Sequence, residues 1–182
     1  MQGAILITYA SRYGSTAEVA EVIAQEVGRT CGVVDVAPVQ RVRDLRPYRA
    51  VILGSAVRAG RWLPEAIAFL TAQRSLLRLR FVAGFLTCGL LRVETDDSRS
   101  AALQIFHSIR HYAPDFRPLE TGLFAGCVPP EAFDNGSRIL ARQALLEPGD
   151  WRNWDAIRAW GGGLACLLGM GQALPMRTLE VP

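Results

Sequence analysis

The sequence predicts an α/β fold, an open doubly wound sheet of five parallel strands with helices on both faces. Three observations carry the prediction. Short apolar runs alternate along the chain with stretches of helical spacing, and strands buried on both faces read as continuous apolar runs. Each apolar run ends in a small-residue or polar turn. The chain has 182 residues, half of them hydrophobic, which suits a single domain over 1–182 with a sizeable core.

The elements follow in order. Residues 5–9 form the first strand and lead into the polar Ser11 and Arg12. Val19, Ala20, Ile23, Ala24 and Val27 then repeat at helical spacing, with Glu18, Glu21, Gln25 and Glu26 between them. Residues 33–36 read as a second strand and 51–55 as a third. Pro64 suits the first turn of a helix whose apolar stripe is Leu63, Ile67 and Leu70. Residues 81–87 are a fourth strand, and 98–111 are helical by the spacing of Ala102, Ile105, Phe106 and Ile109. Glu94, Asp96 and Asp97 suit the opening of that helix. Residues 119–125 make the fifth strand. A closing helix runs from near Asp150 to near Gly169, with Ile157, Gly161, Leu164 and Leu168 on one face. Residues 126–149 are too long for an ordinary connection in such a domain; within them, 137–146 suits a helix.

Residues 159–176 carry no charge, close to the length of a membrane span. Five glycines interrupt the stretch, and Gln172 and Pro175 close it, so it reads as the last core helix, capped near Gly169. Gly161, Gly162 and Gly163 each cost about 1 kcal/mol in a helix, which calls for close packing there, against the sheet.

Composition narrows the function. The net charge is +3 and no dense Arg run occurs, so no nucleic-acid surface is expected. Every basic residue is Arg, which excludes a lysine Schiff base and a Walker-type phosphate lysine. The start of the chain lacks the features of a secretory signal. Cys31, Cys88, Cys127 and Cys166 lie far apart without a CxxC pair, a pattern of a reducing cytoplasm rather than of disulfides or zinc. His107 and His111 sit four apart with no third ligand evident, so no metal is expected. No Ser-His-Asp order or nucleophile elbow supports a hydrolase.

In doubly wound sheets ligands bind at the carboxyl ends of the strands, where the strand order reverses. The loops placed there are 10–16, 56–61 and 88–97. The first is the richest in chemistry: Ser11, Ser15 and Thr16 bring three hydroxyls, Gly14 lets the backbone curl, and a helix begins at once. A helix amino terminus presents unpaired N–H groups and partial positive charge to an anion. Without Lys or a GxGxxG spacing, one terminal phosphate is favoured over a triphosphate or dinucleotide. The same Ser15 and Thr16 also suit a plain helix cap.

Residues 7–16, ITYASRYGST, resemble the flavodoxin phosphate loop, a Thr/Ser-x-Thr-Gly-x-Thr pattern after the first strand; Tyr13 stands where a second Thr is usual. With VILGSAVRAG (51–60), GLFAG (122–126) and WRNWDAIRAW (151–160), the chain resembles, nearly end to end, the flavodoxin-domain family that includes the menaquinone-dependent protoporphyrinogen oxidases of bacteria. The resemblance implies a flavodoxin-like sheet and an FMN site. Ser11, Arg12, Tyr13, Gly14, Ser15 and Thr16 would hold the phosphate. Ser55, Ala56, Val57, Arg58, Ala59 and Gly60 would border the isoalloxazine ring, and Thr87, Cys88, Gly89 and Leu90 its other edge. Arg58 suits an anionic reduced flavin, a substrate carboxylate or plain solvent. Trp62 suits stacking on the ring or packing on the sheet, and Cys88 a flavin neighbour or a buried thiol. No catalytic residue is assigned.

The implied function is an oxidoreductase passing a hydride or electrons through FMN to a quinone or other redox partner, with a porphyrinogen-like substrate. The alternatives are a flavodoxin-type electron carrier, against which the basic balance counts because typical carriers are strongly acidic, and a cofactor-free interaction module. A cytoplasmic place is expected; Ile139, Leu140, Leu145 and Leu146, flanked by Arg138 and Arg142, suit burial across the domain first, and otherwise contact with a partner or peripheral contact with the inner face of the membrane. A homodimer is compatible with the same reading. The family's distinguishing insertion falls in 126–149, where this resemblance is weakest.

Overall fold

The computed structural model describes residues 3–130 and 148–173 of the chain. Five parallel strands form the sheet: β1 (Ala4–Ala10), β2 (Val34–Pro38), β3 (Tyr48–Arg58), β5 (Phe81–Cys88) and β6 (Glu120–Ala125), in the order β2-β1-β3-β5-β6. The doubly wound parallel sheet of the prediction is therefore what forms. One strand is added to it: β4 (Arg61–Trp62) folds back antiparallel on the end of β3.

Alternate residues of each strand feed two cores. Ile5 and Ile7 of β1, Ile52 of β3 and Phe85 of β5 face Val19, Ala20, Ile23 and Val27 of α1 (Ser15–Cys31) and Ile157, Leu164 and Leu168 of α5 (Trp154–Ala173). Leu6, Val51, Leu53, Val82 and Leu86 face the opposite layer. That layer holds Ala66, Phe69 and Leu70 of α2 (Pro64–Ala72), Leu77 of the short α3 (Arg74–Leu77) and Phe106 of α4 (Asp96–Ser108). Each fully buried aliphatic side chain contributes about 1.5–3 kcal/mol, so the period-2 alternation of the strands is what places helices on both faces.

The helix boundaries differ from the predicted ones where side chains outside the apolar pattern intervene. Thr95 caps α4 and Ser98 returns the bond, a reciprocal capping box that starts the helix at Asp96. The carboxylates of Asp96 and Asp97 lie in its first turn, as expected. A 3₁₀ turn at Ile109–His111 replaces its last predicted turn. The closing helix begins at Trp154 and runs through Gly169 to Ala173 rather than stopping at that glycine. Packing of one face against α1 overrides the local glycine signal. The close approach predicted at the triple glycine is made to α1, not to the sheet, and only by Gly161. A Cβ there would lie 3.0 Å from Glu26 Cβ, while Gly162 and Gly163 face open space.

The long connection after β6 is closed at its base. β7 (Cys127–Val128) pairs antiparallel with β8 (Gly149–Asp150), so the chain leaves and re-enters at neighbouring points. The helix predicted at 137–146 lies outside the described residues. Among the described residues no helix is long and apolar enough to cross a membrane.

Candidate functional site

The chain leaves β1, passes outward to β2 and returns to β3 on the other side of β1, so the strand order reverses between β1 and β3. Ala10 is level with Ser55, and Ala56 with Thr87. The carboxyl ends of β1, β3 and β5 therefore open at one level, and the three predicted loops meet there.

Residues 11–16 form a tight turn into α1. Gly14 is the residue before the helix, at φ 90°, a left-handed conformation that a side chain disfavours. Its amide donates to Ser11 Oγ at 3.0 Å. No side chain caps α1, so the plain-cap reading of Ser15 and Thr16 does not hold. The Thr16 hydroxyl is spent elsewhere, 2.7 Å from the hydroxyl of Thr87 at the end of β5 and fully buried. The Ser15 and Thr16 amides find no acceptor among the described residues. They point, with the positive end of the helix dipole, out of the carboxyl edge of the sheet. Arg12 and Tyr13 stand exposed beside them.

Arg152 holds this turn from behind, and nothing in the residue pattern marks it beforehand. Its guanidinium pairs with Asp150 at 2.5 Å and Glu18 at 2.9 Å and donates to the Ser15 carbonyl at 3.3 Å. Its plane lies 4.5 Å from the centre of the Trp154 ring. The side chain is only 7% exposed. The bond to Asp150, then that to Glu18, raises the Arg152 pKa and keeps it charged, and Asp150 is lowered in turn chiefly by Arg152. The segment between β8 and α5 is thereby tied to the first turn of α1.

The second loop is a hairpin tip rather than an open loop. β3 runs on to Arg58, and Ala59 and Gly60 turn the chain back at φ 48° and 69°, the all-positive geometry of a two-residue primed turn. An alanine in that region is uncommon and strained by about 1 kcal/mol or more. Arg58, Ala59, Gly60 and Arg61 are exposed at the tip, with Ala56 and Val57 partly buried below it. Ser55 is fully buried; its hydroxyl donates to the Ala56 carbonyl and accepts from the Leu63 amide. Trp62 packs inward, Nε1 donating to the carbonyls of Ile105 and Phe106, with its ring against Phe106 and Phe116. Of its two predicted roles, packing is the one realised.

At the third loop, Thr87 and Cys88 are buried and Leu90 is exposed. Burial raises the Cys88 thiol pKa, opposed by the Leu91 and Leu90 amides, and Cys88 packs with Leu91 and Ala102. It is a core thiol. His107 and His111 are exposed, and the described residues contain no cluster of three potential metal ligands.

The structure thus gathers the turn at 11–16, the hairpin tip and the end of β5 at one edge. Thr16 and Thr87 join the first to the third. The hydroxyl of Ser11, the open backbone donors of residues 15 and 16 and the dipole of a seventeen-residue helix match a phosphate monoester. The residues present therefore fit a phosphate-bearing cofactor.

A family model described as Flavodoxin domain matches residues 6–143. No curated protein matches the chain. Among solved structures, it is similar to a flavodoxin from the domain Archaea, with a TM-score of 0.57 at 14% identity over 91% of this chain and 99% of that one. Flavodoxin 2 from Bacillus cereus gives 0.54 at 18% identity over 92% and 99%. The rubredoxin oxygen:oxidoreductase from Desulfovibrio gigas gives 0.57 at 16% identity over 94% of this chain, which spans 37% of that enzyme. At these identities the structural likeness speaks for the fold, and the family model speaks for the lineage. The chain belongs to the flavodoxin-domain family, a family of FMN-binding redox proteins.

Proposed function

We propose that residues 11–16 seat the phosphate of FMN, that residues 56–60 and 87–90 border its ring, and that the protein exchanges electrons with a partner as an oxidoreductase. The observation that carries this reading is the uncapped amino terminus of α1 at the switch point of the sheet. Bound there, FMN supplies hydride and single-electron transfer, and the protein supplies position and electrostatics. The Ser15 and Thr16 amides and the Ser11 hydroxyl hold the phosphate. Thr16, pinned to Thr87, keeps that turn in register with the end of β5. The hairpin tip offers backbone at Ala59 and Gly60, where space is open. Buried Trp62 takes no part in stacking.

The exposed guanidiniums of Arg12, Arg58 and Arg61 stand on adjacent loops at this edge. They favour a carboxylate-bearing substrate and support the resemblance to menaquinone-dependent protoporphyrinogen oxidases, with a porphyrinogen-like donor and a quinone acceptor. A flavodoxin-type carrier is the second reading, supported by the match to the Flavodoxin domain model; the same guanidiniums would then face an acidic partner. The experiment comes in two stages. FMN titration followed by fluorescence quenching should saturate, and Ser15→Asp, which sets a carboxylate against the phosphate, should abolish it. No binding at high micromolar FMN overturns the reading. Turnover of a porphyrinogen with a quinone acceptor then selects the oxidase; electron exchange with a protein partner and no small-molecule turnover selects the carrier.

A further inference from the structure

At the opposite end of the sheet from the phosphate loop, a cleft of about 320 Å³ opens beside the amino end of β5. That size sits at the lower end of small-molecule sites. Leu77, Val82 and Phe116 line its floor, and Arg74, Arg78, Arg80 and Arg117 stand around it with Asp115. Among the described residues, four guanidiniums thus face a single carboxylate, and no other acidic residue lines the cleft. Asp115 already shows what the arginines do: Arg74 Nε pairs with one of its oxygens and Arg78 Nη2 lies 2.6 Å from the other. The Arg78 and then the Arg74 hydrogen bonds hold its carboxyl below the usual range. Arg80 is fixed by donating to the carbonyls of Leu45, Tyr48 and Leu76, so it adds positive charge without an acidic partner. Arg117 is exposed and makes no hydrogen bond or ion pair among the described residues. Beside the cleft, Leu79 follows Arg78 and is 80% exposed, and Leu119 is 69% exposed.

An excess of arginine beside an apolar floor suits one ligand chemistry: an anionic head with an apolar tail. Planar guanidinium forks recognise carboxylate and phosphate oxygens in pairs, and the floor takes methylene groups. We infer that this cleft binds an amphiphilic phosphate or carboxylate, its head on Arg74, Arg78 and Arg117 and its chain on Leu77, Val82 and Phe116. The head group belongs either to a free amphiphile or to a lipid at an anionic membrane surface, and the exposed Leu79 and Leu119 adjoin lining residues, Leu79 next to Arg78 and Leu119 bonded to the Val82 carbonyl. The site is independent of FMN.

The test is calorimetry of the full chain, without added flavin, using octyl phosphate and inorganic phosphate as probes. Octyl phosphate should bind more tightly than inorganic phosphate. Arg117→Ala, which removes an unpaired surface side chain and leaves the fold intact, should weaken it about tenfold, the effect of one lost charge-assisted contact. Asp115→Asn, which releases Arg74 and Arg78 from their internal carboxylate, should tighten it. Ser15→Asp at the phosphate loop should leave it unchanged. Co-sedimentation with phosphatidylglycerol vesicles, lost in Arg117→Ala, would make the ligand a lipid head group. Octyl phosphate binding without co-sedimentation would make it a free amphiphile. Equal affinity for inorganic phosphate, indifference to both cleft substitutions, or loss of binding in Ser15→Asp would each overturn the inference.

Discussion

The bond between Thr16 and Thr87 joins residues 71 positions apart and ties the first turn of α1 to the end of β5. Thr16 is 0% exposed and Thr87 3%, so neither hydroxyl has water to turn to. Thr16→Val keeps the β-branched shape, and with it the helix propensity, but strands the Thr87 hydroxyl in the core. An orphaned buried hydroxyl costs about 1–3 kcal/mol, and Thr87→Val should cost the same for the reciprocal reason. The double substitution strands nothing. It forfeits only the net worth of one hydrogen bond, about 1 kcal/mol, against which two added methyls are buried. Two single losses of about 1–3 kcal/mol each against about 1 kcal/mol for the pair give a coupling of about 1–5 kcal/mol, the double variant being more stable than the sum of the singles. Urea unfolding followed by far-ultraviolet circular dichroism, with an unchanged slope, reads each value from the midpoint. Additive losses, or single losses below about 0.5 kcal/mol, would refute the claim that this pair is closed to water. FMN quenching measured on Thr16→Val separates the pin from the amide donor at the same residue, which the substitution keeps.

Three further outcomes follow from the packing and the charges. At Gly54 a Cβ would lie 2.1 Å from Phe85 Cζ, and Phe85 is wedged against Phe124 and Trp160. Gly54→Ala should therefore cost more than about 3 kcal/mol. Gly163→Ala, with open space around it in mid-helix, should gain about 1 kcal/mol; thermal melts that rank these two the other way would contradict the packing. Alkylation at neutral pH should consume exposed Cys166 first and spare Cys88, which is buried and has a raised pKa; peptide mapping with iodoacetamide reads the order. The carboxyls of Asp44, Asp115 and Asp150 are all held below the ordinary carboxylate range, first by the Arg46 amide, Arg78 and Arg152 respectively. Such groups stabilise the fold fully above the unfolded carboxylate pKa and lose that contribution as pH falls through the lower native values. Melts across that range should show stability falling with pH, and Asp150→Asn should shallow the fall.

Much of the site was readable because its parts are local. A strand, a curled glycine and a helix start occupy adjacent positions in 7–16, so the turn proposed to seat a phosphate shows in the residue order. The second loop was read less completely. Alternation marks residues 51–55 as a buried strand, but the exposed continuation to Arg58 and the return through β4 depend on positive backbone angles at Ala59 and Gly60, and alanine does not advertise that conformation. Arg152 leaves no local signal because its partners, Glu18 and the Ser15 carbonyl, are more than a hundred positions away in the chain.

Residue order alone carries the alternation of strands and helices, the doubly wound sheet and the curled turn into α1. Hydrophobic periodicity and helix-end chemistry act over a few residues and leave a direct trace in residue order. What each polar group at that edge does is set by the packing of the layers. It turned Trp62, Ser55 and the hydroxyl of Thr16 inward, left the Ser15 and Thr16 amides open, and carried α5 past Gly169. It also gathered four arginines from two distant segments around one aspartate. Those outcomes rest on which distant groups remain to satisfy a buried donor or to cover an apolar face, and that is settled when the layers pack.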